Sequence, residues 1–290
     1  MKKFFSSSLI WIASIVSILL VQFVGSLVLL AVPPSAAMAV QYIVMALVQV
    51  ANVLIVVTTR RKLNFVSPYM PKRPSFITAV KSVALGALTF VGMYLVSQYV
   101  FVFLVYIGVR ASYLDISGWY VVLAVLTTVI LAPIGEEAVF RCSLTYGFNF
   151  GKTYVAVILS ALAFALMHMS PMQTFYQFAL GIVLGILIVR TQNDVYPIIA
   201  HATSNLLVIV LSFIPLPAIP LCNPLTVIIA VLVLALCAML VLIIMKSIPK
   251  REECVTVEIV KESNSERSLA IFACVLGAVI CLVFWISSFF

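Results

Sequence analysis

Apolar runs of about 17–25 residues recur along this chain, separated by short polar breaks, and that length carries a helix across a hydrocarbon core. The pattern predicts an all-α, polytopic transmembrane bundle. The first span covers Leu9–Val32 and the second Ala36–Thr59, stopping at Arg60, Arg61 and Lys62. A loop with Pro68, Pro71, Lys72, Arg73 and Pro74 leads to a third span near Ile77–Val109. A fourth starts near Gly118 and ends in "LAPIGEEAVFR", residues 131–141. A fifth runs from Lys152 to about Met169, where Pro171 breaks it; a sixth covers Thr174–Val189. The seventh starts near Tyr196 and the eighth covers Leu225–Met245. After a polar stretch, Leu269–Phe290 reads as an additional span beyond a core of about eight. The divisions expected are N-terminal helices over 1–119, a core over 120–245, a charged linker over 246–268 and a C-terminal helix over 269–290.

Composition agrees, with 64% hydrophobic and only 9% charged residues, against about a quarter charged in soluble domains. The start, with Lys2, Lys3, an apolar stretch and "SAAMA", imitates a secretory leader. Its apolar run is too long for one and reads as a retained span. The net charge of +8 does not point to nucleic acid, because the basic residues sit at span ends and form no aromatic-interleaved face. With a cytoplasmic N-terminus and strict alternation, Arg60, Lys72, Lys152, Arg190, Lys246 and Lys261 all fall inside, and only Arg110 lies in an outer loop. The same rule makes Lys246–Ser268 a solvated cytoplasmic linker; it carries five of the nine acidic residues. The six cysteines include no C-x-x-C pair and read as packing residues.

Few ionisable groups then remain at membrane depth: Glu136, Glu137, Arg141, His168 and His201. Such a group costs at least roughly 2.5–3.5 kcal/mol near mid-bilayer and usually faces a protein interior or wet cavity. Glu137 and Arg141, four apart, can pair on one helix face, whereas Glu136 projects about 100° away. His201 and Asn205 have the same spacing and form a second polar stripe. Taken singly, each has a bland reading: a structural ion pair, an interhelical hydrogen bonder, a core Phe164. Their joint occurrence favours a site.

The set resembles a known family. "EEAVFR" matches E-E-x-x-x-R, "FALMH" (Phe164 to His168) matches F-x-x-x-H, and "HATSN" (His201 to Asn205) matches H-x-x-x-N. In this order they look like the CPBP intramembrane proteases, which include the type II CAAX prenyl endopeptidases and the bacterial Abi proteins. The resemblance covers roughly 120–210. It implies a plasma-membrane endopeptidase acting on membrane-anchored or amphipathic peptides, such as pheromone or bacteriocin precursors. It implies Glu136 as the base that activates water, His168 sharing that water, and Arg141 holding Glu137 ionised. His201 and Asn205 would donate to the developing oxyanion. A metal variant uses Glu136, His168 and His201 as ligands of a divalent ion, with zinc the natural choice. No H-E-x-x-H is present, and the choice between metal-bound and glutamate–histidine-activated water stays open. Other classes that fit are a non-catalytic immunity or sensor-kinase regulatory protein and a proton-coupled transporter. The lack of an internal repeat weakens the last. One geometric difficulty stands: His168 lies about 24 Å from Lys152 along a straight helix, while Glu136 and His201 lie toward the cytoplasmic ends of their spans.

Overall fold

A computed structural model describes residues 2–65, 67, 69, 71–109, 116, 118–214, 223–251 and 261–290. Among these, the chain is helical and forms no strand. The helices are α1 (Lys3–Ala31), α2 (Pro34–Leu63), α3 (Phe76–Tyr106) and α4 (Tyr120–Thr145). Then come α5 (Thr153–Met167), α6 (Pro171–Thr191), α7 (Val195–Ser212), α8 (Pro224–Ser247) and α9 (Asn264–Ser287). Eight of them are long and apolar enough to cross a membrane; α5 is not. Its 15 residues span about 22 Å, short of a hydrocarbon core of about 30 Å. The predicted fifth span is therefore a shorter helix. It ends because Met169 turns left-handed, at φ +49°, before Pro171 opens α6.

Apolar burial does not organise this bundle as it would in water. Helix α8 is the most apolar, at a mean hydropathy of 3.5, yet 11% of its most apolar window is buried. Most of its leucines and isoleucines face outward, where lipid is as apolar as they are. Contacts form instead where small residues let backbones approach. Gly181 and Gly185 of α6 lie against Ala161 and Val157 of α5. Gly86 of α3 lies against the Ala200 carbonyl, where an added Cβ would come within 2.1 Å. Helix α3 thereby presses on α7 one residue before His201.

Six polar segments meet at one face. The Lys3 ammonium donates to the Asn149 carbonyl, and Lys2 pairs with Glu266. Asn193 clamps the Lys72 peptide from both sides, accepting from its N–H and donating to its carbonyl at 2.9 Å each. The Ser75 N–H donates to the Tyr196 hydroxyl at 2.7 Å, and Arg190 donates to the Ile248 carbonyl at 2.7 Å. Arg110 of the expected outer loop lies outside the described residues.

The expected linker over 246–268 is partly helical. Lys246 and Ser247 close α8, residues 264–268 form the first turn of α9, and 252–260 lie outside the described residues. The cause is a capping box: the Ser263 hydroxyl accepts from the Glu266 N–H, and the Glu266 carboxylate accepts from the Ser263 N–H. Helix α9 lies along α1, and the Trp285 indole donates to Thr174 at the start of α6. Of the cysteines, Cys142, Cys237, Cys274 and Cys281 are free thiols, while Cys222 and Cys254 lie outside the described residues.

Candidate active site

Helix α4 carries the carboxylates and is not a uniform α-helix. Two π-helical stretches, Val125–Leu131 and Phe140–Thr145, flank the α-helical Ala132–Val139. Such bulges occur mostly as single widened turns, frequently at functional sites. Pro133 explains part of the first. The Ala132 N–H bonds five back, to the Thr127 carbonyl. In that register the Thr128 carbonyl falls to residue 133, whose proline nitrogen has no hydrogen. Asn205 of α7 fills the vacancy, its side-chain amide donating to the Thr128 carbonyl at 2.7 Å. In the second stretch the Phe140 carbonyl accepts from Thr145 at 2.9 Å and from Ser160 of α5 at 2.8 Å. The widened turns thus turn backbone acceptors toward α7 and α5.

The α-helical segment between them sorts the two glutamates. Glu137 is wholly buried, with Oε2 at 2.9 Å from Arg141 Nε and Oε1 at 2.9 Å from His201 Nδ1. The Arg141 contact is an ion pair by distance, without an aligned hydrogen bond. The guanidinium, also fully buried, lies 4.4 Å over the Phe164 ring and 5.8 Å from Phe140, a cation–π arrangement that further offsets its desolvation. Glu136 keeps 14% side-chain exposure. It is the carboxylate of the pair that water or a substrate can reach. Its Oε1 accepts from Gln49 Nε2 of α2 at 3.0 Å, and its Oε2 stands 3.8 Å from His201 Nε2.

Hydrogen-bond partners set the histidine tautomers. His168 closes α5, and its Nδ1 lies 2.8 Å from the Phe164 carbonyl, which can only accept. Nδ1 therefore carries the hydrogen, leaving Nε2 as an acceptor in the neutral ring. His201 likewise donates Nδ1–H to the Glu137 carboxylate, so its Nε2 donates only in the doubly protonated ring. Phe164 joins the elements: its ring centroid is 4.9 Å from that of His168, 5.6 Å from His201 and 5.1 Å from Phe140. His168 does lie at the far end of α5, and the site is united there because α4 continues to Thr145, nine residues beyond Glu136, so that Glu136 is also deep in the bundle.

The structure brings Glu136, Glu137, Arg141 and His201 into direct contact and His168 against the same phenylalanine. Asn205 directs one N–H to Thr128. Among the described residues no three His, Cys, Asp or Glu side chains are gathered closely enough to hold a metal ion. Glu136, His168 and His201 thus do not form a ready ligand trio. Sequence reasoning missed Gln49 and Asn52. The Asn52 amide donates to Gln49 Oε1 at 3.2 Å, and Asn52 is itself buried. The signal was there: two amides three residues apart in the middle of an apolar run, "VQVANVL", which share a helix face.

Residues 118–207 match the family described as type II CAAX prenyl endopeptidase Rce1-like. That segment holds all three motifs, and over it the chain is similar to the CAAX proteases. No curated protein and no solved structure matches.

Proposed function

We propose that this chain hydrolyses a peptide bond in a membrane-associated peptide or protein, with Glu136 as the base. The observation that carries the reading is the placement of Glu136: a partly accessible carboxylate, oriented by Gln49, facing an imidazole nitrogen across 3.8 Å. That separation suits a bridging water better than a direct bond. Glu136 takes the water's proton as the oxygen adds to the scissile carbonyl, and later returns it to the leaving amine. His168 Nε2 is a second acceptor for the same water. His201, with Nδ1–H fixed by Glu137, donates to the oxyanion through Nε2 in its doubly protonated form. The second N–H of Asn205 serves the same oxygen. A zinc ion held by Glu136, His168 and His201 is a separate proposal, which requires Glu136 and both Nε2 atoms to turn onto one ion.

The proposed setting is a bacterial plasma membrane with a cytoplasmic N-terminus, and the substrates are anchored or amphipathic peptides. The test compares membrane peptides from cells expressing wild type and Glu136→Gln, both checked for equal accumulation. An uncleaved precursor should build up only with Glu136→Gln. Identical peptide patterns would sink the hydrolase reading and favour a non-catalytic immunity or regulatory protein.

A further inference from the structure

The proposed base needs more than a histidine opposite it. A carboxylate on a flexible side chain has two equivalent oxygens, and only one can face water and His201. We infer that Gln49 of α2 is a positioning residue that holds Glu136 Oε1 so that Oε2 stays turned toward His201; this rests on the hydrolase reading above. Three observations converge on it.

The first is the hydrogen bond from Gln49 Nε2 to Glu136 Oε1, at 3.0 Å. A carboxylate can only accept, so it selects the NH2 end of the Gln49 amide. The second is Asn52. Its amide donates to Gln49 Oε1 at 3.2 Å, which suits only the orientation that aims Nε2 at Glu136. Asn52 is 1% exposed, so burying it in an apolar helix is costly unless the bond is used. The third is Gly135. A Cβ there would lie 2.4 Å from Gln49 Oε1 and 2.9 Å from the Gln49 carbonyl. The glycine beside the proposed base is what lets α2 come close enough for Gln49 to reach it. The relay Asn52 to Gln49 to Glu136 therefore fixes one carboxylate oxygen from a helix outside the family-matched segment.

Gln49→Met keeps length and shape but cannot donate. It is made in the full chain, purified in detergent and compared with wild type by two readouts. Infrared difference spectra use carbon-13-labelled glutamate, with the Glu136 carboxylate band identified as the one lost in Glu136→Gln. The band should move in Gln49→Met. The second readout is cleavage of a lipid-anchored fluorophore–quencher peptide in phosphatidylglycerol-containing vesicles. Here kcat should fall about 10- to 100-fold, the scale of a misplaced reacting group, with KM changed by less than about two-fold. Adding Gln49→Met to Glu136→Gln should cost nothing further. An unmoved band overturns the inference, and so does a moved band with unchanged kcat. Wild type that cleaves no peptide sinks the hydrolase reading, while the band still decides whether Gln49 holds Glu136. Should Gln49→Met not accumulate, Asn52→Leu is read the same way, because it frees the Gln49 amide to turn.

Discussion

Arg141 is the residue whose surroundings state its role most directly. Its guanidinium is fully buried, with Glu137 at 2.9 Å and an aromatic face at 4.4 Å. Removing one partner of a buried pair strands the other and can cost roughly 3–5 kcal/mol. Arg141→Ala should therefore lower accumulation, whereas Glu136→Gln should not, since Glu136 is partly exposed and its replacement still accepts from Gln49. Glu137→Gln with Arg141→Met should regain part of the lost protein without regaining cleavage. Quantitative immunoblots of membranes decide it; full accumulation of Arg141→Ala would move Arg141 to a direct role on substrate. Asp194, in the turn before α7, allows a second test. Burial holds its carboxyl above the usual carboxylate range, against the Cys142 thiol that donates to it at 3.0 Å. Its protonated form is the one favoured by folding, so its stability contribution is present in acid. That contribution is lost as pH rises from the ordinary carboxylate value through the raised one. Thermal unfolding in detergent should show wild type losing stability over that window relative to Asp194→Asn. An equal slope in the two proteins would refute the assignment.

At the scale of elements, α4 is where sequence reasoning and structure part company. Hydropathy located the helix, and the i, i+4 spacing placed Glu137 beside Arg141, because that pair lies in or next to the α-helical segment. The π turns left no mark in hydropathy, since widening a turn changes which carbonyls are free and not which residues are apolar. Pro133 was visible, but its consequence depends on a register that packing selects. Asn205 illustrates the same limit. Its spacing from His201 suggested a shared stripe, while its N–H to Thr128 depends on a vacancy in another helix. This coupling can be measured. Pro133→Ala restores an N–H that can take over the Thr128 carbonyl, so Asn205→Leu should destabilise the Pro133→Ala protein less than wild type. The double-mutant cycle should give an interaction energy within the roughly 0.5–3 kcal/mol found for directly coupled residues. Additive losses would mean that Asn205 does not cap that carbonyl.

For the whole molecule, the rarity of charge made the site legible and also hid its support. In a chain with nine acidic residues and two histidines, membrane-depth Glu136, Glu137, His168 and His201 stand out at once. A neutral amide such as Gln49 does not, and its alignment with Glu136 depends on how α2 packs on Gly135. The proposed orientation rests on a different signal, because basic residues respond to the membrane as a whole and not to a neighbour. The structure adds that hydrogen bonds join the N-terminus to 146–152 and join 71–75, 192–194 and 248–251 to one another, and that Tyr69 packs on Tyr146 at 5.9 Å between the two groups, so all share one face. One orientation must therefore hold for all of them together. On the proposed topology, taken from the positive-inside rule, that face is the cytoplasmic one. A membrane-impermeant maleimide tests it without removing every native thiol: Cys142, Cys237 and Cys281 are buried, so Cys222, Cys254 and the partly buried Cys274 are the ones to replace. In that background Lys250→Cys should react only after the membrane is opened, while Trp119→Cys, at the opposite end of the bundle, should react in intact cells. The reverse pattern would invert the topology and put the substrate's accessible side outside. Labelling of both sites in intact cells would break the common face, because Lys250 adjoins Arg251, whose N–H bonds to the Arg190 carbonyl at 2.8 Å.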